Sequence, residues 1–354
     1  MKNRIGIICP SEIAFRRFLP ALQKASDDFI FAAIGIASPS EWFEDLSVVS
    51  EQLINEQQER EMAKAKSFVE GYGGRIVVGY EQLLNCDDID SIYIPLPPAL
   101  HYKWAKIALQ KGKHVFVEKP STCCLKDTKE LVDIASTKGL ALHENYMFVY
   151  HSQIHEINKA VSEGIIGDIR LYRISFGFPL RDKNDFRYNK KLGGGAVLDA
   201  GGYCLKLARL LLGETTKVVT ATSNFIKDFE TDMFGSATLL NDSGLVAQVA
   251  FGMDNDYHCK LEIWGSKGTI TSDRILTAPV GYVPTMQIKQ NQSFSVVNLH
   301  DDDAFYKSIL KFRDCIYDEN VRMKEYQFLI EQEELLEQFF KGGKVIGTLI
   351  DDDF

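Results

Sequence analysis

The stretch Ile5-Gly6-Ile7-Ile8-Cys9-Pro10-Ser11-Glu12-Ile13-Ala14 decides how the first third of this chain folds. An apolar run of strand length leads into a turn, and Glu12–Ala25 follow with the periodicity of a helix. Phe29–Ala37 form a second apolar run. Strand, helix and strand in this order are typical of a βαβ unit, whose strands lie parallel in a buried sheet. We expect Pro20 to kink or interrupt the helix, because proline has no amide N–H to donate.

The alternation of strand and helix patterns continues beyond this unit. Strands are predicted at Ser91–Ile94 and Val115–Val117, and helices at Glu51–Tyr72, His101–Lys111 and Leu125–Lys138. From Ile169 the pattern changes to strands that are joined directly by turns, which usually pair antiparallel. These strands are predicted at Ile169–Phe176, Val218–Asn224, Phe234–Asn241, Leu245–Met253 and Leu261–Trp264, with a hairpin turn at Asn241-Asp242-Ser243-Gly244. Two helices, Asp302–Tyr317 and Tyr326–Phe340, follow near the end.

Length and composition narrow the class of protein. A chain of 354 residues predicts two domains, which we place at residues 1–121 and 122–354. The net charge of −9 repels phosphate backbones and anionic lipids, so we expect no nucleic-acid partner and no membrane partner. Seven cysteines without CxxC spacing, and the lack of a signal-peptide pattern or a long apolar stretch, predict a cytoplasmic protein with reduced thiols. His151 and His155 have helical i,i+4 spacing, but no further ligand cluster accompanies them, so no metal is predicted.

The turn after the first strand is where a dinucleotide pyrophosphate binds in a βαβ unit. The usual GxGxxG fingerprint is absent, since Cys9-Pro10-Ser11-Glu12-Ile13-Ala14 contains no glycine. The turn alone therefore leaves two alternatives open, a dinucleotide site or a βαβ unit that binds nothing. Ser38 and Pro39 follow the second strand without an acid, which leans toward NADP, but no arginine is adjacent, so the choice between NAD and NADP stays open.

Four ordered motifs resemble those of the glucose-fructose oxidoreductase, inositol dehydrogenase and MocA family of oxidoreductases. They are Ser91-Ile92-Tyr93-Ile94-Pro95-Leu96-Pro97-Pro98-Ala99-Leu100-His101, Gly112-Lys113-His114-Val115-Phe116-Val117-Glu118-Lys119-Pro120, Gly193-Gly194-Gly195-Ala196-Val197-Leu198-Asp199-Ala200-Gly201-Gly202-Tyr203 and Trp264-Gly265-Ser266-Lys267-Gly268-Thr269. The resemblance implies an N-terminal Rossmann domain with a doubly wound parallel sheet. It also implies a C-terminal α+β domain whose large open, mostly antiparallel sheet carries the substrate site and a contact between identical subunits, in a homodimer or homotetramer.

The same resemblance implies which residues contact NAD or NADP. Ser11, Glu12 and Ile13 present backbone N–H groups to the pyrophosphate, and the segment from Pro95 to Leu100 runs along the cofactor. The full set of predicted cofactor-binding residues is Cys9, Ser11, Glu12, Ile13, Ser38, Pro95, Leu96, Pro97, Leu100, His101, Glu118 and Lys119.

Hydride transfer at a sugar carbon needs a group that moves the hydroxyl proton and a positive charge that stabilises the alkoxide. We predict Tyr203 as the proton relay and Lys119 as its electrostatic partner, because a nearby ammonium lowers the pKa of a phenol. Many family members have histidine where this chain has Tyr203. The tyrosine favours the branch of sugar dehydrogenases, dihydrodiol dehydrogenases and keto-sugar reductases.

Three further residues are predicted to contact a small carbohydrate substrate. Asp199 lies four positions before Tyr203 on a predicted helix, so both project from one face, and Asn145 is assigned to the substrate as well. The segment Arg181–Lys191 holds five basic residues, which suggests a nucleotide- or phosphate-linked sugar, with Arg187 as the contact. The alternative is a solvated loop whose charges are balanced by its own acids.

The predicted function is an NAD(P)-dependent oxidoreductase that acts on a hydroxyl or keto carbon of a sugar or sugar derivative. Two alternatives remain at this point. One is a non-catalytic sensor or subunit that keeps the fold, which the missing glycines allow, and the other is a dihydrodiol-type dehydrogenase.

Overall fold

The computed structural model describes residues 2–43 and 45–349, which form two compact units. Among the described residues, the first unit comprises 2–43, 45–122, 126–145 and 305–329, and the second comprises 123–125, 146–304 and 330–349. The chain therefore returns to the first unit after it has built most of the second. The predicted division at residues 121 and 122 stays a prediction.

The first unit contains a six-stranded sheet in which every strand pair is parallel. The strands are β1 (Asn3–Ile8), β2 (Phe29–Ile36), β3 (Arg75–Val78), β4 (Ser91–Ile94), β5 (His114–Val117) and β6 (Leu142–Glu144). Their order in the sheet is β3-β2-β1-β4-β5-β6, which is the order of the doubly wound Rossmann fold. The predicted fold class of this part is confirmed.

Helices connect these strands and return from the chain end. They are α1 (Leu19–Lys24), α2 (Pro39–Trp42), α3 (Glu51–Tyr72), α4 (Tyr80–Leu84), α5 (Pro98–Gln110) and α6 (Leu125–Lys138). The predicted bounds of α3 and α6 are confirmed. A π-helical turn at Ala14–Phe18 runs directly into α1, and Pro20 is the second residue of α1. The expected disturbance at Pro20 therefore takes the form of a change in helix type.

The second unit is built on a nine-stranded sheet. Its strands are β7 (Ile169–Gly177), β8 (Lys217–Ile226), β9 (Asp232–Leu240), β10 (Val246–Gly252), β11 (His258–Gly265), β12 (Thr269–Asp273), β13 (Thr285–Gln290), β14 (Ser293–Asn298) and β15 (Gly343–Leu349). Their order is β14-β13-β12-β11-β7-β10-β9-β8-β15. Among the described strands of this second sheet, only the β7–β10 and β8–β15 pairs are parallel, so the predicted large, mostly antiparallel sheet is confirmed.

Four more helices complete the chain. They are α7 (Ser152–Ser162), α8 (Gly202–Leu212), α9 (Ala304–Tyr317) and α10 (Glu319–Gly342). Within the second unit α8 packs on β7 and β10 and buries Leu205, Leu207 and Ala208 in the core. No helix in the described part of the chain is both long and apolar enough to cross a membrane.

Candidate active site

The turn after β1 reaches a glycine-type conformation without glycine. Cys9 has a φ of 75°, in the left-handed region that side chains other than glycine rarely adopt. Its N–H donates to the Gly35 carbonyl at 3.0 Å, and burial raises the pKa of its thiol to about 11. The Ser11 hydroxyl accepts a hydrogen bond from the Ala14 N–H at 3.3 Å and so caps the following helix.

The helical segment begins at Glu12. Because Glu12 and Ile13 are its first residues, their N–H groups have no partner inside the helix. Such N–H groups and the helix dipole favour a bound anion. The Ser11 N–H, which was predicted to face the pyrophosphate as well, instead donates to the Cys9 carbonyl at 2.9 Å. Cys9 takes the strained position that the fingerprint normally assigns to glycine, and binding of the pyrophosphate by Glu12 and Ile13 stays a prediction.

His101 connects the loops that follow β4 and β5. Its ring is fully buried, with Nε2 at 2.6 Å from the Leu96 carbonyl and Nδ1 at 2.7 Å from the Pro120 carbonyl. Burial lowers its pKa to about 4, although both carbonyls act in the opposite direction. A neutral ring has one N–H, so it donates to one of the two carbonyls. His101 thus fixes the spacing of the two predicted cofactor loops, and its direct contact with cofactor stays a prediction.

Glu118 ends β5 and is held by two buried neighbours. The Tyr93 hydroxyl donates to Glu118 Oε1 at 2.7 Å, and Asn145 Nδ2 donates to the same oxygen at 2.8 Å. Burial raises the pKa of Glu118, while these two hydrogen bonds and the adjacent charge of Lys119 oppose the increase. The structure therefore brings Glu118 and Asn145 together, whereas the sequence assigned one to the cofactor and the other to the substrate.

The hydrogen bonds continue from Asn145 into the interior of the first unit. Ser308 Oγ donates to Asn145 Oδ1 at 2.8 Å and lies 2.8 Å from His143 Nε2. His143 Nδ1 lies 2.8 Å from Glu325 Oε1. Because the Asn145 amide donates to Glu118, its oxygen faces Ser308, and Ser308 must accept from His143 Nε2–H.

His143 and Glu325 also form, with Cys315, a buried group of metal-ligating side chains within the described residues. Two ligands of one tetrahedral zinc ion would lie about 3.4 Å apart, which exceeds the separation of His143 Nδ1 and Glu325 Oε1. Burial also raises the pKa of the Cys315 thiol, which opposes the thiolate form that a metal needs. The separation is that of two side chains in direct contact, and it is too short for two ligands of one metal ion.

Tyr203 lies in the first turn of α8 and is surrounded by aromatic rings. Its ring centroid is 5.2 Å from Tyr146, 5.7 Å from Phe148 and 5.3 Å from Phe176. The side chain is 8% exposed. The aromatic contacts therefore fix the position of the ring, and the phenol oxygen is the only part of the side chain able to carry a proton.

Arg187 and Asp199 form the charged part of the second unit's site. Arg187 Nε donates to Asp199 Oδ2 at 2.7 Å, and Arg187 Nη1 lies 3.1 Å from Asp185 Oδ1. Burial opposes the charge of Arg187, but the two carboxylates outweigh it and raise the pKa of the guanidinium. The charge of Arg187 is therefore balanced within the chain. The exposed basic residues of this segment are Arg181, Lys183, Lys190 and Lys191.

The glycine turn between Arg187 and Asp199 sets this geometry. A Cβ on Gly194 would lie 2.3 Å from the Arg187 carbonyl oxygen. Gly195 has a φ of 128°, and a Cβ there would lie 2.4 Å from Asp232 Oδ1. The Gly195 N–H donates to the Arg187 carbonyl at 2.9 Å. Only glycine allows the backbone to approach Arg187 and Asp232 so closely.

Asp232 is a site residue that the sequence analysis missed. Its Oδ2 accepts a hydrogen bond from the Val197 N–H at 2.7 Å, at the start of the helical segment that carries Asp199 and Tyr203. Burial raises the pKa of Asp232 to about 6, although backbone N–H groups stabilise its charge. Asp232 begins β9, far from this helix in sequence, and no local motif identifies the pair.

Comparison with known proteins identifies the family. Residues 5–146 match a family model described as the oxidoreductase family with an NAD-binding Rossmann fold, and residues 154–271 match the GFO/IDH/MocA C-terminal domain. The chain belongs to the GFO/IDH/MocA oxidoreductase family. The resemblance inferred from the four motifs is confirmed, and so is the use of NAD or NADP.

Similar proteins act on nucleotide-linked sugars. A dTDP-3,4-didehydro-2,6-dideoxy-alpha-D-glucose 3-reductase from Actinomadura kijaniata is 36% identical over 88% of this chain and 87% of the relative. A protein of the same name from Streptomyces violaceoruber is 40% identical over 81% of this chain and 77% of the relative. A 3-ketoreductase from Actinomadura kijaniata, solved with NADP and TDP-benzene, has a TM-score of 0.88 and 33% identity over 98% of this chain and 99% of its own.

These similarities show that this GFO/IDH/MocA protein is an NAD(P)-dependent oxidoreductase that transfers a hydride between nicotinamide and a hydroxyl or keto carbon of a sugar or sugar derivative. They favour this activity over the non-catalytic and dihydrodiol alternatives.

Proposed function

We propose that the protein reduces a keto group of a sugar that is linked to a nucleoside diphosphate, with NADH or NADPH as the hydride donor. The observation that carries the proposal is the pairing of two features in one chain: Lys119 directly after β5 of a Rossmann sheet, and Tyr203 fixed by aromatic rings at the start of α8. The keto-sugar reductases to which the chain is similar over most of its length support the substrate class.

The residues after β1 fit a dinucleotide. Cys9 supplies the left-handed turn, and the N–H groups of Glu12 and Ile13 would hold the pyrophosphate. When bound, the reduced nicotinamide supplies a hydride to the carbonyl carbon of the sugar.

Side chains of the protein donate the proton and stabilise the negative charge that develops in the reaction. Tyr203 donates its phenolic proton to the carbonyl oxygen as the C–H bond forms, so that the ketone becomes an alcohol. The Lys119 ammonium stabilises the negative charge that develops on the sugar oxygen and on the phenolate left behind, which solvent then protonates again. Asp199, held by Arg187, accepts a hydroxyl proton of the sugar in a hydrogen bond and orients the ring.

The diphosphate of the substrate is bound by the exposed basic residues near the glycine turn. Lys183, Lys190 and Lys191 extend into solvent, whereas the charge of Arg187 is compensated by Asp185 and Asp199. Arg187 and Asn145 stay predicted substrate contacts, with Arg187 acting through Asp199.

A substrate comparison tests this function. We expect kcat/KM to be about a hundredfold or more higher for a nucleotide-linked keto sugar than for the same sugar without the nucleotide, measured by NAD(P)H oxidation. The triple variant Lys183→Ala, Lys190→Ala and Lys191→Ala should remove most of this difference, and Lys289→Ala, on the exposed part of β13, should not. Equal rates with both sugars would contradict the proposal.

We also propose that the enzyme is cytoplasmic and forms a homodimer or homotetramer through the nine-stranded sheet. All seven cysteines are free thiols, which fits a reducing compartment. Large apolar side chains of β14, Phe294, Val296 and Val297, are exposed in the single chain. Light scattering at several concentrations would test the association, and a monomer throughout would contradict it.

A further inference from the structure

Glu41 lies near the carboxyl end of β2, where dinucleotide-binding proteins distinguish NAD from NADP. An acid at this end binds the ribose hydroxyls of NAD and excludes the 2′-phosphate of NADP. Ser38 and Pro39, which directly follow the strand in sequence, include no acid. The acid at this position is Glu41, which lies in the short helix α2.

The Glu41 carboxylate is fixed at the strand end by four hydrogen bonds. Oε2 accepts from the Ser38 N–H at 2.8 Å, from the Ser38 hydroxyl at 2.9 Å and from the Tyr80 N–H at 2.8 Å. Oε1 accepts from the Glu81 N–H at 2.9 Å. All four donors are neutral, so within the described structure they hold the carboxylate in place without cancelling its charge by a cation.

This carboxylate lies next to the dinucleotide turn. The side chain of Tyr80, the residue whose N–H holds Glu41, lies beside the Cys9 thiol. The Cys9 N–H in turn bonds to Gly35, near the end of β2. Glu41 is therefore connected through Tyr80 to the backbone that would hold the pyrophosphate, on the side where the adenosine ribose lies in a Rossmann domain.

The segment around α2 offers a 2′-phosphate no positive charge, and the ammonium of Lys64, the base on α3 whose charge reaches Cys9, is paired with Glu61 at 2.9 Å. No lysine or arginine occurs between Lys24 and Arg60, and Asp45 adds another acid after α2. A phosphate site needs arginine or lysine, since their charge and donors offset its two negative charges. The ribose of NAD, in contrast, has only hydroxyl groups, and Glu41 Oε1, with one donor, keeps a lone pair that can accept one of them.

We propose that Glu41 makes this enzyme prefer NAD over NADP. The inference rests on the proposed function only in requiring that a nicotinamide dinucleotide binds at the turn after β1. A preference for NAD would distinguish this protein from the Actinomadura kijaniata 3-ketoreductase, which was solved with NADP.

The test is a fluorescence titration of the full-length protein with NADH and with NADPH. We expect the dissociation constant for NADH to be at least about tenfold lower than that for NADPH. Glu41→Gln removes the charge but keeps the size of the side chain, so it should bring the two constants to within about threefold of each other, mainly by tightening NADPH binding. Glu41→Ala should act in the same direction.

A matched control removes one negative charge elsewhere. Glu59 is exposed on α3 in the same base-free segment, and Glu59→Gln should leave the ratio of the two constants unchanged. Tighter NADPH binding by the wild type, or an unchanged ratio in both Glu41 variants with native circular dichroism, would overturn the inference. No binding of either dinucleotide would contradict the proposed function itself and the inference with it.

Discussion

The surroundings of Tyr203 and those of Glu118 are constructed in opposite ways. Between residues 185 and 203 the chain supplies Arg187, the glycine turn, Asp199 and Tyr203 almost consecutively. The neighbours of Glu118 come from distant parts of the chain and reach as far as Ser308 and Glu325, in the segment that returns to the first unit. A site made from one contiguous stretch can be recognised in the sequence, whereas a hydrogen-bonded chain of distant residues appears only after folding.

The largest loss of activity is expected from a substitution at Tyr203, the last residue of the contiguous stretch. Tyr203→Phe removes the proton donor and leaves the aromatic packing, so kcat should fall by about 10²- to 10⁴-fold while cofactor affinity is unchanged. Tyr172→Phe removes a phenol that is also buried, in β7, and should lower kcat less than about twofold. A Tyr203→Phe enzyme with normal turnover would assign the residue a packing role only.

The geometry of that stretch depends on the glycine turn. In Gly194→Ala the new methyl group would meet the Arg187 carbonyl oxygen, and relief requires a backbone shift. We expect a loss of unfolding free energy of about 1–3 kcal/mol in urea denaturation, together with a raised KM for the sugar. Gly71→Ala, in α3 with a nearest neighbour at 4.0 Å, is the matched control and should be neutral or slightly stabilising. Equal effects of the two substitutions would show that the turn does not constrain Arg187.

The series of side-chain contacts that runs from Glu118 to Glu325 is interrupted most simply by a substitution at Ser308. Ser308→Ala leaves Asn145 Oδ1 and His143 Nε2 buried without this partner, so unfolding free energy should fall by about 1–3 kcal/mol. Ser162→Ala, at an exposed hydroxyl of α7, should leave the unfolding free energy unchanged. An unchanged unfolding free energy in the Ser308 variant would mean that these hydrogen bonds contribute nothing to stability.

Asp232 is a distant contributor to the contiguous site, and its effect on stability depends on pH. Its pKa is raised to about 6, so the folded protein binds this proton more tightly than the unfolded chain does. Ionisation of Asp232 therefore lowers stability as pH rises from about 4 to about 6, and the cost is fully present above that range. Asp232→Asn removes this cost, so its stability relative to wild type should increase between pH 4.5 and pH 7, by about 1–2 kcal/mol in urea titrations. A difference that does not change with pH would contradict the raised pKa.

Much of the fold was predictable because its signals are local. The bounds of α3 follow from a long periodic pattern that the Ser50 hydroxyl caps and Gly73 ends, and β4 follows from four consecutive buried residues. The three-residue strand β6 and the helix α7 were missed. A strand as short as β6 has no periodicity to detect, and the N-cap of α7 is His151, whose ring accepts from the Gln153 N–H, in place of the usual serine, threonine or acid.

The candidate site was predictable to a similar extent. The sequence identified Lys119, Tyr203, Asp199 and Arg187, but it did not show that Arg187 is paired with Asp199 and Asp185. It also missed Asp232, whose contact is with a backbone N–H group that any residue supplies, so the sequence carries no signal for it. Glu41 was missed although Ser38-Pro39-Ser40-Glu41 has the capping-box pattern, a serine followed three residues later by a glutamate.

A double-mutant cycle tests most directly whether Lys119 and Tyr203 serve one proton transfer. The measurement is kcat for wild type, Lys119→Ala, Tyr203→Phe and the double variant, with cofactor affinity and circular dichroism measured for each. Two groups that act as a unit are not additive, so the double variant should be no more than about tenfold slower than the slower single variant. Losses that multiply in full would show that the two residues act independently, which contradicts the shared role.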